Sequence, residues 1–389
     1  MKFDAPYILT ANVEILRSAD QTSPFVQEGN FFYTTGLNLV GWVAIVSESQ
    51  KLLVAPASRD DVAERFDGDN TPTKEEAERL AREGWEIINR DEMEEVLKSL
   101  SSKYDTVRTV LDSAEENVFG SLTRPEQAAL TRQLKGIFKH VEDAAPSIAK
   151  ARALKSEKER EVLKKAIGLT ADSFAAVKQN INSFTYEYEV EAEFTYAFRK
   201  SGAEGHAYEP IVASGENALT LHYIKNTAQL PQNGLVLIDI GAKVNGYAAD
   251  ITRTYAVGTP SDRETAVHAA VEKAHHEIIQ QLKPGLAIKA YIELVDDIMK
   301  DALVSLGLLS DKSDNETYRN YFPHAISHGL GIDVHESLGG YKEFMPGMVF
   351  TVEPGIYIPE EGIGVRIEDD ILITDTGYEN LSGHLSTSL

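Results

Sequence analysis

Four acidic residues stand within or directly beside apolar runs that are typical of buried β-strands. Asp239 and Asp250 belong to one strand-rich block, and Glu353 and Glu368 belong to another. Burying an ionised carboxylate in apolar surroundings is costly unless a cation or strong hydrogen-bond donors accompany it. Each residue taken alone could still be a solvent-facing acid on an edge strand. The four together predict a buried site that contains cations.

Asp239 and Asp250 lie on the two strands of a predicted β-hairpin, one on each strand. The run Leu235–Val257 contains two apolar strands that are joined by a glycine-bearing turn at Lys243–Gly246. Side chains alternate between the two faces of a strand, so residues on paired strands can share a face. We therefore expect both aspartates to point to the same side of the sheet.

The second block, Gly347–Thr374, carries the two glutamates. Glu353 directly precedes a Pro-Gly pair, and Glu368 follows Arg366 by two positions in an apolar run. The two-residue period of a strand places Arg366 and Glu368 on one face. The guanidinium is therefore predicted to lie beside the carboxylates.

Three of the ten histidines lie within twelve positions of each other, at His324, His328 and His335. A single histidine would most simply be a satisfied core or surface residue, but three together with glycines between them are harder to explain in that way. Gly329 and Gly331 permit close backbone approach to a ligand. Glycines also disfavour a helix, so we predict loop and strand for this segment.

The remaining aromatic and histidine residues carry a weaker signal. Tyr208 is predicted to line the mouth of the site. His275 and His276 lie on a predicted helix and are expected to be solvent-exposed.

Carboxylates and an imidazole form an oxygen-rich set of ligands with one nitrogen. Four carboxylates carry too much negative charge for one divalent ion, but they suit two ions that lie about 3.5–4 Å apart. The chain has no cysteine, which excludes disulfides, thiolate zinc sites and cysteine nucleophiles. Mn²⁺ or another borderline-hard divalent ion fits this set better than a thiolate-preferring metal.

The chain has 389 residues, which is enough for two domains. Its first part alternates short β-rich runs with amphipathic helices, with helix-starting capping boxes at Thr73/Glu76 and Thr123/Glu126. This α/β pattern brings few polar residues together, so we interpret it as a support or oligomerisation domain. A further capping box, at Ser156/Glu159, begins a long amphipathic helix and places the boundary near residue 153, between domains 1–153 and 154–389.

Helices and strands are grouped in the second part rather than strictly alternating. Two predicted helices precede the first strand-rich block, and two more lie between the first block and the second. Grouping of this kind favours an α+β fold with an antiparallel sheet.

Charge and hydropathy restrict the partners. The chain carries 38 Lys and Arg against 61 Asp and Glu, a formal charge of −23. A negative field of this size repels nucleic acid and anionic lipid surfaces. The N-terminal residues do not form a signal peptide, and no apolar run approaches the ~20 residues that cross a membrane. We expect a cytoplasmic protein that binds neither nucleic acid nor membrane, although the lack of cysteine is also compatible with export.

The order of the acidic and histidine residues is D-x₁₀-D, then H, then E-P-G, then R-I-E. This order resembles the pita-bread metallopeptidase family, which includes methionine aminopeptidase, prolidase and aminopeptidase P. The resemblance covers about residues 155–380 and implies a catalytic domain with a curved antiparallel sheet. It also implies two metal ions, with Asp250 and Glu368 bridging them. The implied ligands are Asp239, Asp250, His328, Glu353 and Glu368.

Several segments resemble the proline-specific branch of this family more than methionine aminopeptidase. They are SGENALTLHY around His222, VEPGIY with Tyr357, and GVRIEDDILIT with Arg366. Residues 18–38 resemble the part of the aminopeptidase P N-terminal domain that contributes to subunit contacts. The resemblance therefore implies a homo-oligomer, a dimer or a tetramer.

The chemistry implied by this resemblance is removal of the N-terminal residue from peptides with proline at the second position. A hydroxide that bridges two metals, most consistently Mn²⁺ with Co²⁺ or Zn²⁺ as alternatives, would attack the Xaa-Pro bond. Glu353 would move the proton, and His222 and His335 would donate to the substrate carbonyl oxygen. The residues implied on the proline side are His324, Tyr357 and Arg366.

Three alternatives remain at this stage. An Xaa-Pro dipeptidase would use the same chemistry, with Arg366 available for the terminal carboxylate of the dipeptide. The segment between Tyr357 and Arg366 is short, which leaves the preference for dipeptides or longer peptides open. A metal-free creatinase-type hydrolase, or a non-catalytic binding protein on a pita-bread fold, would be expected to lack ligands or the histidines His222 and His335, and this chain has them all.

Overall fold

The computed structural model describes residues 4–57, 61–111 and 124–389. The chain forms two compact units, Met1–Ala151 and Arg152–Leu389. Thr123, of the second predicted capping box, lies outside the described residues. No helix within the described ranges combines the length and the apolar character that crossing a membrane requires.

The first unit is built on a six-stranded mixed sheet. Its strands are β1 (Tyr7–Thr10), β4 (Val43–Val46), β5 (Lys51–Val54), β6 (Trp85–Ile88), β7 (Thr106–Thr109) and β8 (His140–Asp143), and β2 (Leu16–Ser18) and β3 (Gln21–Thr22) form a separate hairpin. The order across the sheet is β6–β5–β4–β1–β7–β8. The predicted hairpin is present, with Val46 opposite Lys51.

Helices cover both faces of this sheet. They are α1 (Gly29–Thr35), α2 (Asp61–Asp67), α3 (Lys74–Arg82), α4 (Met93–Ser101), α5 (Pro125–Lys135) and α6 (Ala145–Arg152), the last of which ends at the first residue of the second unit. Successive residues of β4 belong alternately to two apolar clusters, as the strand period requires. The capping box at Thr73 and Glu76 starts α3 as predicted.

The second unit groups its helices and strands as predicted. The helices are α7 (Glu157–Asn180), α8 (Glu187–Lys200), α9 (Asp262–Ile279), α10 (Ile288–Ser305) and α11 (Asn315–Tyr321). The strands are β9 (Gly205–His206), β10 (Ile211–Ser214), β11 (Gly234–Ile240), β12 (Ala242–Val244), β13 (Tyr247–Ala248), β14 (Ile251–Val257), β15 (Val349–Val352), β16 (Gly355–Ile358), β17 (Ile363–Arg366), β18 (Asp369–Ile373) and β19 (Tyr378–Asn380).

Every strand pair in the second unit that the structure describes is antiparallel. The main sheets have the orders β10–β11–β14 and β15–β18–β19, and an antiparallel bridge between Thr252 and Glu368 links them. One apolar cluster lies between the strands and helices α7 and α8, and a second lies between the strands and helices α9 and α10. The strands therefore pack against two pairs of helices, and each pair forms a separate apolar core with them.

The prediction that His275 is solvent-exposed is wrong. Its side chain is only 1% exposed, whereas the neighbouring His276 is exposed as predicted. The face of α9 that carries His275 packs over a buried ion pair in which Arg253 Nη2 lies 2.6 Å from Asp369 Oδ1. His275 Nε2 lies 3.4 Å from the other oxygen of Asp369. A helical periodicity does not reveal that a helix covers a polar cluster rather than an apolar one.

His268 and His275 are expected to make the protein sensitive to acid. Burial lowers the pKa of each from its ordinary value of 6.5 to about 4. Between these values the unfolded chain binds protons that the folded chain does not, so stability falls as the pH drops from 6.5 to 4. The loss would reach at most about 3 kcal/mol for each histidine.

Urea unfolding at pH 7, 5.5 and 4.5 measures this dependence. A His268→Asn/His275→Gln double variant should show a flatter decline between pH 7 and 4.5 than the unsubstituted protein. His276→Gln, on the exposed face of the same helix, is the matched control and should leave the decline unchanged. An equally steep decline in the double variant would contradict the assignment to these two histidines.

Candidate metal centre

The register of β11 and β14 brings the two aspartates to one face of the sheet. Asp239 pairs with Thr252, and Asp250 lies two positions before Thr252, so all three share a side. Both aspartates are buried, at 9% and 4% exposure. Gly241 permits the close approach of the connecting backbone, since a Cβ atom there would lie 1.7 Å from the carbonyl oxygen of Ala249.

Threonines on the two main sheets, one from each, orient the two glutamates. Glu368 directly precedes β18, and Thr252 Oγ1 donates to its Oε2 at 2.6 Å. Glu353 directly follows β15, and Thr351 Oγ1 donates to its Oε1 at 3.1 Å. An apolar residue at either threonine position would remove a hydrogen bond to the glutamate carboxylate.

The loop that carries His328 runs alongside β15. Thr351 N donates to the carbonyl oxygen of His328, and Glu353 N donates to that of Ile326. This pairing brings His328 Nε2 to 3.4 Å from both Asp250 Oδ2 and Glu353 Oε1. The segment from 323 to 336 is loop with isolated bridges, as the glycines predicted.

The five predicted ligands thus converge, and they do so in overlapping triads. Within each triad the ligand atoms lie within 4.8 Å of one another. Asp250, Glu368 and His328 each belong to two triads. The triads are Asp239, Asp250 and Glu368; His328, Glu353 and Glu368; and Asp250, His328 and His335.

The carboxylates of this cluster repel one another and are largely removed from water. Burial, together with the charge of Asp250, raises the pKa of Glu353 to about 7, despite the opposing effect of His328. Burial and the neighbouring carboxylates raise the pKa of Glu368 well above its ordinary value. Two divalent cations would supply the positive charge that this cluster lacks, and its oxygen and imidazole donors are those that Mn²⁺ and Zn²⁺ accept. The residues therefore fit a metal centre.

His328 responds to the same excess of negative charge. Burial by itself lowers its pKa, but the hydrogen bond and charge of Asp250, together with the charge of Glu353, raise the pKa to about 9. An imidazole must lose its proton to bind a metal. Metal binding at this position is therefore expected to release protons.

Arg366 and His324 form part of one wall of the site, and the buried Tyr357 lies behind them. Arg366 Nη2 lies 2.5 Å from Asp239 Oδ2, and its Nη1 donates to the hydroxyl oxygen of Tyr357 at 2.8 Å. That hydroxyl also lies 3.0 Å from His324 Nε2. Tyr357 is buried, so its hydroxyl orients the other two side chains from behind.

A cavity of about 480 Å³ opens above the cluster. That volume lies in the ~300–1,000 Å³ range of small-ligand sites. His222 and His335 are both exposed side chains on its wall, and the rings of His335 and His328 are 4.4 Å apart. Of the predicted site residues, the cavity is lined by Asp239, Asp250, Glu353, Glu368, His222, His324, His328, His335 and Arg366.

Tyr208 lies deeper in the site than predicted. Its hydroxyl oxygen is 2.5 Å from Asp239 Oδ1 and 2.6 Å from Asp250 Oδ1, so it lies between the two aspartates rather than only at the mouth. Burial and the adjacent aspartates raise the pKa of Tyr208 well above its ordinary value, so it remains a hydrogen-bond donor. Sequence reasoning also missed Thr252 and Thr351. The sequence gives one signal for them: each threonine lies in an apolar strand two positions from a predicted metal ligand.

Removing the Tyr208 hydroxyl should weaken metal binding. In Tyr208→Phe the two aspartates lose the shared donor that orients them, and loss of such outer partners typically costs about 10–100-fold in metal affinity or activity. Titration of metal-depleted protein with Mn²⁺, followed by calorimetry, measures the affinity. Tyr196→Phe, an exposed tyrosine on α8, is the control. An unchanged affinity in Tyr208→Phe would contradict an orienting role.

Comparison with known proteins identifies relatives of both units. The model of metallopeptidase family M24 matches residues 161–375, and that of the aminopeptidase P N-terminal domain matches residues 1–109. The Xaa-Pro aminopeptidase of Escherichia coli K12 is 33% identical over 408 residues, covering 96% of this chain and 90% of the relative.

A dipeptidase and a solved structure are also similar to this chain. The Xaa-Pro dipeptidase of Pyrococcus horikoshii is 36% identical over 249 residues, covering 63% of this chain and 66% of the relative. The structure of E. coli aminopeptidase P with the inhibitor Pro-Leu superposes with a TM-score of 0.87 at 30% identity, covering 100% of this chain and 93% of that one. The likeness therefore extends over the N-terminal domain as well as the catalytic half.

Proposed function

This chain belongs to metallopeptidase family M24, and from that premise we propose that it is an Xaa-Pro aminopeptidase, which releases the first residue of peptides whose second residue is proline. One observation carries the proposal. Five carboxylate and imidazole side chains converge at the floor of a cavity, with two further histidines on its wall.

We propose two divalent ions as cofactors, with Mn²⁺ as the preferred metal. Asp239, Asp250, His328, Glu353 and Glu368 would hold them. When bound, such ions act as Lewis acids and make water a nucleophile near neutral pH. Asp250 and Glu368, which share one triad and each belong to a second triad with His328, would serve both ions.

The chain's own side chains would then position the substrate and move its proton. Glu353, at the floor of the cavity, is suited to accept a proton and pass it to the leaving proline nitrogen. His222 and His335, on the cavity wall, would donate to the carbonyl oxygen on which negative charge develops.

A peptide bond before proline needs a specialised binding site. The peptide bond before proline has no N–H, and the ring fixes φ near −65°, so peptidases that bind the backbone N–H lose a contact. The wall formed by His324 and Arg366, oriented by Tyr357, would accept the ring instead.

A dipeptidase remains the second candidate because the P. horikoshii relative is named as one. Such an enzyme needs a cation for the terminal carboxylate of its substrate. Arg366 is 4% exposed and already contacts Asp239, Tyr357 and Thr252. Its commitment to these partners, and the match to an aminopeptidase P N-terminal domain, favour the aminopeptidase.

We further propose that residues 1–153 form a domain for self-association, that the protein is a homo-oligomer, and that it acts in the cytoplasm. The region around the β2–β3 hairpin presents apolar side chains to solvent. Ile15 is 69% exposed, Leu16 67% and Val26 61%. Contiguous exposed apolar residues are typical of protein contacts.

Incubation with matched peptides tests the function. Protein reconstituted with Mn²⁺ is given an Xaa-Pro dipeptide and an Xaa-Pro-Xaa tripeptide, and the products are identified by mass. We expect release of the first residue from the tripeptide, and loss of that activity when a chelator removes the metal. Cleavage of the dipeptide alone would identify a dipeptidase, and no cleavage of either by metal-loaded protein would contradict both candidates.

A further inference from the structure

Glu187 is a buried carboxylate that the proposed chemistry does not use. It is the first residue of α8, and its side chain has no exposed surface. Its Oε1 accepts from Ser214 N at 2.9 Å, Ser214 Oγ at 2.7 Å and Asn217 Nδ2 at 3.0 Å. Its Oε2 accepts from Tyr223 Oη at 3.0 Å and Ala228 N at 2.9 Å. Five neutral donors therefore surround one carboxylate.

All five donors come from a single segment, residues 214–228, which we call the His222 segment. It leaves the end of β10, contains one short 3₁₀ turn at Gly215–Leu219, and carries His222 next to Tyr223. Its other contribution to the cavity is apolar, through Leu221 and Ile224. Because the segment has so little regular structure, its shape depends on hydrogen bonds to residues outside it.

A second contact fixes the same segment to the same helix. Asn226 is 1% exposed and has a left-handed backbone with φ of 49°. Its Oδ1 accepts from Val212 N, and its Nδ2 donates to the carbonyl oxygen of Pro210 and to Glu191 Oε2 at 2.8 Å. Glu191 lies one turn beyond Glu187 on α8. One face of this helix thus holds the His222 segment on both sides of His222.

We propose that Glu187 is a positioning residue that holds His222 on the wall of the catalytic cavity. The proposal rests on the proposed function, in which His222 contacts the substrate. The charge of Glu187 matters because an ionised carboxylate is acceptor-only and binds donors more strongly than a neutral amide does. A glutamine would turn an NH₂ group toward donors at one of the two oxygen positions, so part of the segment would have to move away.

Glu187→Gln should lower kcat more than it raises KM, because the segment is displaced but the metal centre is not. Displacements of about 1 Å in a catalytic group can cost about 100-fold in rate. We expect a fall of that order in kcat with unchanged metal content. Amide hydrogen exchange should become faster in residues 214–228 and stay the same in α9 and α10. Glu193→Gln, an exposed position on the same helix, is the matched control.

A double-variant cycle separates positioning from general destabilisation. If Glu187 acts through His222, Glu187→Gln should have little further effect on kcat once His222 has been replaced by alanine. The same fold-loss in both backgrounds would overturn the proposal. Tyr223→Phe, which removes one donor and keeps the ring, should show a smaller loss of the same kind and carries the test if Glu187→Gln does not fold.

Failure of the proposed function would be visible separately. In that case the unsubstituted, metal-loaded protein would cleave no Xaa-Pro peptide. The exchange measurement would still report whether Glu187 holds the His222 segment. Unchanged exchange in residues 214–228 of Glu187→Gln would refute the structural part of the proposal, whatever the activity.

Discussion

Replacing Asp250 by asparagine should abolish binding of two metal ions and reduce kcat at least about 1,000-fold, which corresponds to about 4 kcal/mol in the barrier. The two oxygens of Asp250 face different partners. Oδ1 lies 2.6 Å from the Tyr208 hydroxyl, and Oδ2 lies 3.4 Å from His328 Nε2. A carboxylate in this position can offer one oxygen to each of two cations, whereas an amide offers a single neutral oxygen.

Elemental analysis of purified protein measures the metal content, and tripeptide cleavage measures kcat. Asp172→Asn is the matched control, since this aspartate lies on α7 with an 81% exposed side chain. It should retain full activity and metal content. An Asp250→Asn protein that still contains two metal ions would contradict the bridging assignment.

Replacing His335 by alanine should reduce kcat by about 100–1,000-fold, the range found when one donor to a developing oxyanion is removed. The expected effect on metal content is small. The structure makes this a sharp test, because His335 also lies in a triad with Asp250 and His328 whose atoms could bind a metal. The two possible roles of His335, donor to the substrate and metal ligand, therefore predict different results for His335→Ala.

Metal content and kcat should be measured on the same preparation of His335→Ala. Loss of metal, with the turnover per bound metal retained, would identify His335 as a ligand and contradict the donor role. His384→Ala is the control, since the His384 side chain is 54% exposed and does not line the cavity. The same comparison on His222→Ala would show whether the two histidines act alike.

The match to the metallopeptidase family confirms the α+β fold that the grouping of helices and strands favoured, and the pita-bread fold that the resemblance implied. The shared face of Asp239 and Asp250 follows from strand alternation and the register of a hairpin. The contact of Arg366 with Asp239 joins residues 127 positions apart, so it depends on the fold. Patterns with a period of two or with a capping box are local, so they survive in any fold that contains the strand or the helix.

The predictions that failed depend on contacts between distant parts of the chain. His275 was misplaced because nothing in the α9 sequence shows that Arg253 and Asp369 lie beneath it. The role of Tyr208 was missed because it is separated from Asp239 and Asp250 by 31 and 42 positions, and only the folded sheet brings its hydroxyl between them.

The sequence by itself determined which side chains are the candidates for the chemistry, because burying carboxylates in apolar strands is costly unless cations or strong donors accompany them. Only the tertiary structure decided how those side chains are held. Tyr208 joins two aspartates, threonines orient the glutamates, and Glu187 gathers the His222 segment. The physical reason is that hydrogen-bond geometry is short-ranged and directional, so it exists only after distant segments have packed together.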